Sequence, residues 1–163
     1  MQSHSNIYFD INILNDFNDI DLFPQFNEDY EYIYEDIIED NITHRQIYSD
    51  NMPTTLLFSN GTNLIWCGYL ALDNVENFTQ AFVSCSNLEL IDASNWNVQN
   101  ITSFDMSFCY CEKLTEIIGI ENWNTAKLGY GSSRAIVATF AYCQSLTSLN
   151  LSNWVINHSV SAN

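Results

Sequence analysis

Lysine and arginine are nearly missing from this chain. Four of them stand against twenty Asp and Glu, a formal net charge of −16 in 163 residues. A phosphate backbone is gripped through a basic patch, so direct nucleic-acid binding is excluded. An anionic membrane surface is disfavoured on the same ground. The charge suits a basic protein partner, including one that itself binds nucleic acid. Drift toward A-rich codons raises Asn and Lys together, yet the chain holds 21 Asn and only two Lys, Lys113 and Lys127. The acidity therefore reads as maintained, with solubility as the alternative reason for it.

Long apolar runs are also missing. The longest stretch with no polar side chain except Tyr69 runs from Leu64 to Leu72, far short of a membrane span. The opening residues, MQSHSNIYFD, lack a basic segment followed by an apolar one, so the expected location is cytoplasmic (a host-cell cytoplasm if the chain is phage-encoded). Six Asn-x-Ser/Thr sequons, at Asn41, Asn60, Asn77, Asn100, Asn150 and Asn157, follow from the abundance of Asn. The five cysteines are an odd number, which argues against a disulfide framework. Cys109 and Cys111 lack a zinc or redox spacing, and His4, His44 and His158 are scattered. Asp16, Asp19 and Asp21 lack the calcium-loop frame. No metal site or cofactor is expected. Nucleophile elbow, phosphate-binding glycine loop and His-Glu metal helix are all missing, and the chain reads as a non-enzyme.

What the chain does have is an apolar fraction of 47% and an internal repeat. Ala81–Trp96, Ser107–Trp123 and Thr139–Trp154 share the frame Phe-x-x-Cys-x-x-Leu-x-x-Ile/Leu, followed by Asn-Trp. Phe82, Phe108 and Phe140 form one ladder; Cys85, Cys111 and Cys143 a second; Leu88, Leu114 and Leu146 a third; Ile91, Ile117 and Leu149 a fourth. Each steps by 26 and then 32 residues. Trp96, Trp123 and Trp154 step by 27 and 31, because the second unit carries one extra residue near Gly119. A unit that cannot bury its own apolar face stacks like positions on one another, which is the physics of a solenoid. A period near 26 lies in the leucine-rich range, with one strand and one helix or turn per coil. The strands are expected near Leu88–Ala93, Leu114–Ile118 and Leu146–Leu151, with the Phe and Cys positions on a short helix before each. Six extra residues around Gly129–Arg134 mark a surface loop.

These residues resemble the BspA-like leucine-rich repeat, a bacterial and phage variant whose units read roughly Met-Phe-x-x-Cys-x-x-Leu-x-x-Leu-x-Leu-Ser-x-Trp/Phe. Ala141–Trp154, AYCQSLTSLNLSNW, comes nearest to that pattern, and Asn74–Phe82 resembles the connector leading into a unit. The resemblance covers about residues 64–160. It implies a right-handed solenoid used for protein contacts. Members are often large, secreted and many-coiled; this chain is short, with about three units and no visible secretion signal.

The first 50 residues carry twelve acids and one base, Arg45. On a helix over residues 28–40, capped by Asn27, Tyr30, Ile33, Tyr34, Ile37 and Ile38 share one face. Glu28, Asp29, Glu31, Glu35, Asp36, Glu39 and Asp40 share the other. Strand is the rival, since DYEYIY alternates and is rich in Tyr and Ile. Helical like-charge pairs four apart destabilise by about 0.2–0.5 kcal/mol each, so a single-sign face has a cost that binding to a basic groove would offset. Upstream, residues 7–23 alternate weakly and suit a strand or hairpin cap.

The expected fold is thus an α/β repeat: a short leucine-rich-repeat solenoid of about three coils over residues 64–163, with an acidic α/β cap at 1–63. The expected function is a non-catalytic protein-binding module, an acidic inhibitor of the anti-defence or anti-CRISPR type that phages encode. It would occupy a basic nucleic-acid-binding surface through the seven acids of 28–40. A structural or adhesive repeat protein of a virion or cell surface is the alternative. The third coil has no successor, so a homodimer through that end, or a tail folded back over it, is expected as well.

Overall fold

The structure is a computed structural model. It describes residues 58–61, 64–68, 70, 72–131 and 133–157 in full, and the backbone alone of 5–12, 33–39 and 42–49. Among the described residues six strands form one sheet: β1 Ser5–Asn12, β2 Ile33–Glu39, β3 Ile42–Ser49, β4 Leu64–Cys67, β5 Leu90–Asp92 and β6 Glu116–Ile118, in the spatial order β2-β3-β1-β4-β5-β6. β1 pairs antiparallel with both β3 and β4. The β4-β5-β6 half is parallel, with Ile91 level with Ile117 and Cys67 level with Ile91.

The expected α/β solenoid is overturned. Among the described residues there is no α-helix, only a single 3-10 turn, Ile120–Asn122. The parallel part of the sheet is three strands wide and open, ending at β6. The helix expected over 28–40 is also wrong where the chain is described. Residues 33–39 are β2, paired with β3 from Ile33↔Tyr48 to Glu39↔Ile42. The alternation of Tyr and Ile prevails over the helical stripe because a non-local partner strand is present.

What replaces the helix before each strand is a ribbon of consecutive β-turns. In the unit built around Phe82, Ala81 N–H donates to the Phe78 carbonyl, Val83 to Gln80 and Cys85 to Phe82. Gln80 and Ser84 sit at the third position of their turns with φ of 59° and 61°, the backbone that a type II turn requires. Met106 and Tyr110 repeat this at 55° and 62°, and Ala138 and Tyr142 at 53° and 61°. The intervening N–H groups point along the stack instead. Phe78, Gln80, Phe82 and Ser84 donate to Ser103, Asp105, Ser107 and Cys109, and Phe104, Met106, Phe108 and Tyr110 to Ala135, Val137, Thr139 and Ala141. A helix would satisfy the same donors internally; the ribbon spends half of them on the next unit.

The core is the stacked ladders. Phe78, Phe82, Phe104, Phe108, Leu70, Leu72, Leu88 and Ile91 are its largest fully buried side chains. Each contributes about 1.5–3 kcal/mol of burial. Asparagine shapes the outer turns: Asn77, Asn97, Asn124 and Asn150 each accept the N–H two residues on. The strand expected at Leu146–Leu151 does not form. Asn150 takes the Ser152 N–H there, and a gap of about 290 Å³ opens between Leu149 and the β6 residues Glu116 and Ile117. Asp92 accepts the Ser94 N–H in the same way at the end of β5, so it is the gap to β6, not the asparagine, that leaves this stretch unpaired. Among the described residues no helix is long and apolar enough to cross a membrane.

Candidate interaction surface

The cysteine ladder explains itself once the ribbon is in place. Cys85, Cys111 and Cys143 donate their thiols to the carbonyls of Phe58, Phe82 and Phe108, at 3.1, 3.2 and 3.0 Å. A thiol is small, weakly polar and at home in a core, so it covers a carbonyl that faces the next unit without a desolvation penalty. Burial pushes Cys85 up to about 12 and Cys143 up to about 11 from the ordinary 9.0, and Cys111 is raised by the same cause. These thiols are poor nucleophiles and poor metal ligands. Among the described residues no three His, Cys, Asp or Glu come together as a metal site.

The aromatic ladders are continuous. Phe82 stacks between Phe58 and Phe108, with ring centroids 4.7 and 5.6 Å away, and Phe108 stacks on Phe140 at 5.4 Å. Trp123 lies between Trp96 and Trp154, 5.6 Å from each. The indole N–H groups of Trp96, Trp123 and Trp154 donate to the carbonyls of Gly68, Ala93 and Ile120. Leu88 and Leu114 are fully buried, while Leu146 at the last unit is half-buried. Phe58 is a rung that the sequence alignment missed. Its signal was present: Phe58, Gly61, Leu64 and Cys67 keep the spacing of Phe82, Cys85, Leu88 and Ile91. Gly61 stands at the cysteine position, where a Cβ would lie 3.0 Å from the Phe58 carbonyl oxygen and 3.5 Å from Cys85 Sγ.

Of the acids assigned to partner binding, Glu35, Asp36 and Glu39 lie on β2, at one edge of the sheet. Glu28, Asp29, Glu31 and Asp40 lie outside the described residues. A strand repeats every two residues, so the single face derived for a helix does not carry over. Positions four apart are about 13 Å apart on a strand rather than 5–6 Å, beyond the Debye length, and the helical like-charge cost disappears with them.

A second surface emerges at the other end. The exposed large apolar side chains among the described residues are Tyr110, Ile118, Tyr130, Ile136, Val137, Tyr142 and Val155, all from the second unit onward. Tyr110 and Tyr142 stack in the open with centroids 4.4 Å apart and planes 3° from parallel. The Tyr142 phenol pushes that of Tyr110 up from its ordinary range. Charge is segregated in the same sense. All twenty acids precede Asn122, whereas Lys127 and Arg134 follow it. This asymmetry was legible in the sequence and is easily lost in the net charge. Lys127 donates to the Asn100 side chain at 2.7 Å, and Arg134 Nε pairs with Asp105 Oδ2 at 3.0 Å. That ion pair ties the inserted loop to the preceding unit. With the Arg134 side chain 61% exposed, it stabilises only modestly.

A family model described as "Mycoplasma protein of unknown function, DUF285" matches residues 70–163. No curated protein and no solved structure matches the chain.

Proposed function

The chain belongs to the DUF285 family, whose description assigns no activity, and from its own surface we propose that it is a non-catalytic protein-binding module. Its acidic N-terminal region occupies a basic, nucleic-acid-binding surface of a partner protein, in the manner of a phage-encoded inhibitor. The observation that carries this reading is the segregation of charge: twelve of twenty acids crowd into the first 50 residues beside a single base. Such a cluster raises the encounter rate with a basic surface and competes with phosphates for it. The ladders of Phe, Cys, Leu and Trp support kinship with BspA-like repeats, a class used for protein contacts.

The test is competition. The full chain is titrated against double-stranded DNA bound to core histones, a generic basic surface. Displacement that weakens about tenfold or more as salt rises from about 50 to 200 mM is the expected result. The combined variant Glu31→Gln, Glu35→Gln, Asp36→Asn, Glu39→Gln should lose it. A variant that competes as well as the parent, or displacement indifferent to salt, sinks the reading. The exposed Tyr110–Tyr142 pair favours a second reading, a structural or adhesive protein of a virion or cell surface. Its contacts would be apolar and nearly salt-independent.

A further inference from the structure

We propose that the open end of the third unit is a self-association face, against which a second copy of this chain packs end to end about a two-fold axis. A groove of about 370 Å³ runs across that end, lined by Ile136, Ala138, Phe140, Leu151, Trp154 and Ile156. These side chains are neutral, and Phe140, Leu151, Trp154 and Ile156 are only half-buried. In the preceding units the Phe and Trp positions are buried. Phe82 and Phe108 have a ring on each face, whereas among the described residues Phe140 is stacked on Phe108 alone. The carbonyls of Phe58, Phe82 and Phe108 each take a thiol from the following unit; among the described residues that of Phe140 receives only the Cys143 N–H. The chain from Val155 to Asn157 does not close the groove. It runs back along the side of the stack, with Val155 N–H on Thr125 Oγ1 at 2.8 Å and Asn157 N–H on the Leu128 carbonyl at 2.7 Å.

Charge selects the occupant. With a net charge of −16, two copies repel each other except where acids are absent, and no Asp or Glu follows Glu121. Contact through the third units joins the acid-free ends and keeps β2, with Glu35, Asp36 and Glu39, at the far edge of each sheet. Head-to-tail stacking would instead need the outer edge of β4, which β1 already occupies, and would propagate without closing. A two-fold contact closes and supplies each Phe140 with an apolar partner on its outer face.

Sedimentation velocity on the full chain over about a thousandfold range of concentration tests this. The expected result is a monomer–dimer equilibrium that tightens with added salt, because salt screens the repulsion between two acidic copies. Ile136→Glu places a charge in the groove at an already exposed position and should weaken the dimer about tenfold or more, with the melting temperature of the dilute monomer unchanged. Ile118→Glu, exposed on β6, should leave it intact. A monomer at every concentration overturns the proposal, as does a dimer indifferent to Ile136→Glu or one that loosens with salt. If truncation after Asn157 turns such a monomer into a dimer, the last six residues are the occupant instead.

Discussion

Leu114 sits in the middle unit with no exposed surface, between the ladder partners Leu88 and Leu146. Its truncation to Ala should cost about 2–5 kcal/mol by chemical denaturation, because neighbours held in register on both sides cannot collapse into the cavity. An unchanged denaturation midpoint would mean that the ladder register is wrong. The thiol ladder makes a different prediction. An unfolded cysteine ionises near 9.0, but burial holds Cys85 to about 12. The folded state therefore keeps a proton that the unfolded chain releases above pH 9. Stability is fully present below pH 9 and declines as pH rises toward 12. At about pH 10.5, in reducing buffer, the loss from Cys85 should be roughly 2 kcal/mol relative to pH 8. Cys85→Ala should flatten that slope. A parent protein whose stability is constant to pH 11 contradicts the burial of this thiol.

At the scale of elements, the turn ribbon stores strain at non-glycine residues in the left-handed region. Ala138, exposed and with φ 53°, loses nothing to solvent if its methyl is removed. Ala138→Gly should raise stability by a few tenths to about 1 kcal/mol, the left-handed cost of alanine less the chain entropy of glycine. A lower melting temperature would argue against a turn there. Gly129 makes the opposite case. It has φ 92°, and a Cβ would lie 1.9 Å from the Asn157 carbonyl oxygen. Gly129→Ala should destabilise by about 1–3 kcal/mol and release residues 155–157, seen as faster amide exchange there. Little in the sequence marked this ribbon as such. Gln80, Ser84, Met106, Tyr110, Ala138 and Tyr142 are ordinary side chains at left-handed positions, where a reader expects Gly or Asn. The strands were easier: β5 and β6 fall within two of the expected stretches, while the third stands off from β6 across a gap and forms no strand.

For the whole molecule, the two sheet edges set behaviour. β2 is one edge and carries Glu35, Asp36 and Glu39; β6 is the other and carries Glu116. Acids along an edge discourage the addition of a foreign strand. Neutralising Glu35, Asp36 and Glu39 should therefore raise the rate of aggregation on heating, measured by light scattering, with little change in the unfolding midpoint. A large gain in stability would point back to the crowded helical face that the strand has replaced.

The sequence by itself determined which side chains meet. The shared offsets of Phe, Cys, Leu and Trp make the ladders legible, because a buried position that recurs must be filled by a residue of like size in every unit. It also determined the charge balance, a net −16. Only the tertiary structure decided how the backbone between those positions runs. Half the N–H groups of the ribbons at Phe78–Ser84 and Phe104–Tyr110 find their acceptors 25 or 31 residues further on. The choice between helix and turn is therefore made by a neighbour that local sequence does not contain. The same holds for residues 33–39, where the partner strand β3 turned a helical stripe into an edge. It holds too for Phe58, whose place in the ladder became plain only when its ring lay against Phe82, since glycine had taken the position of the cysteine that would have announced it.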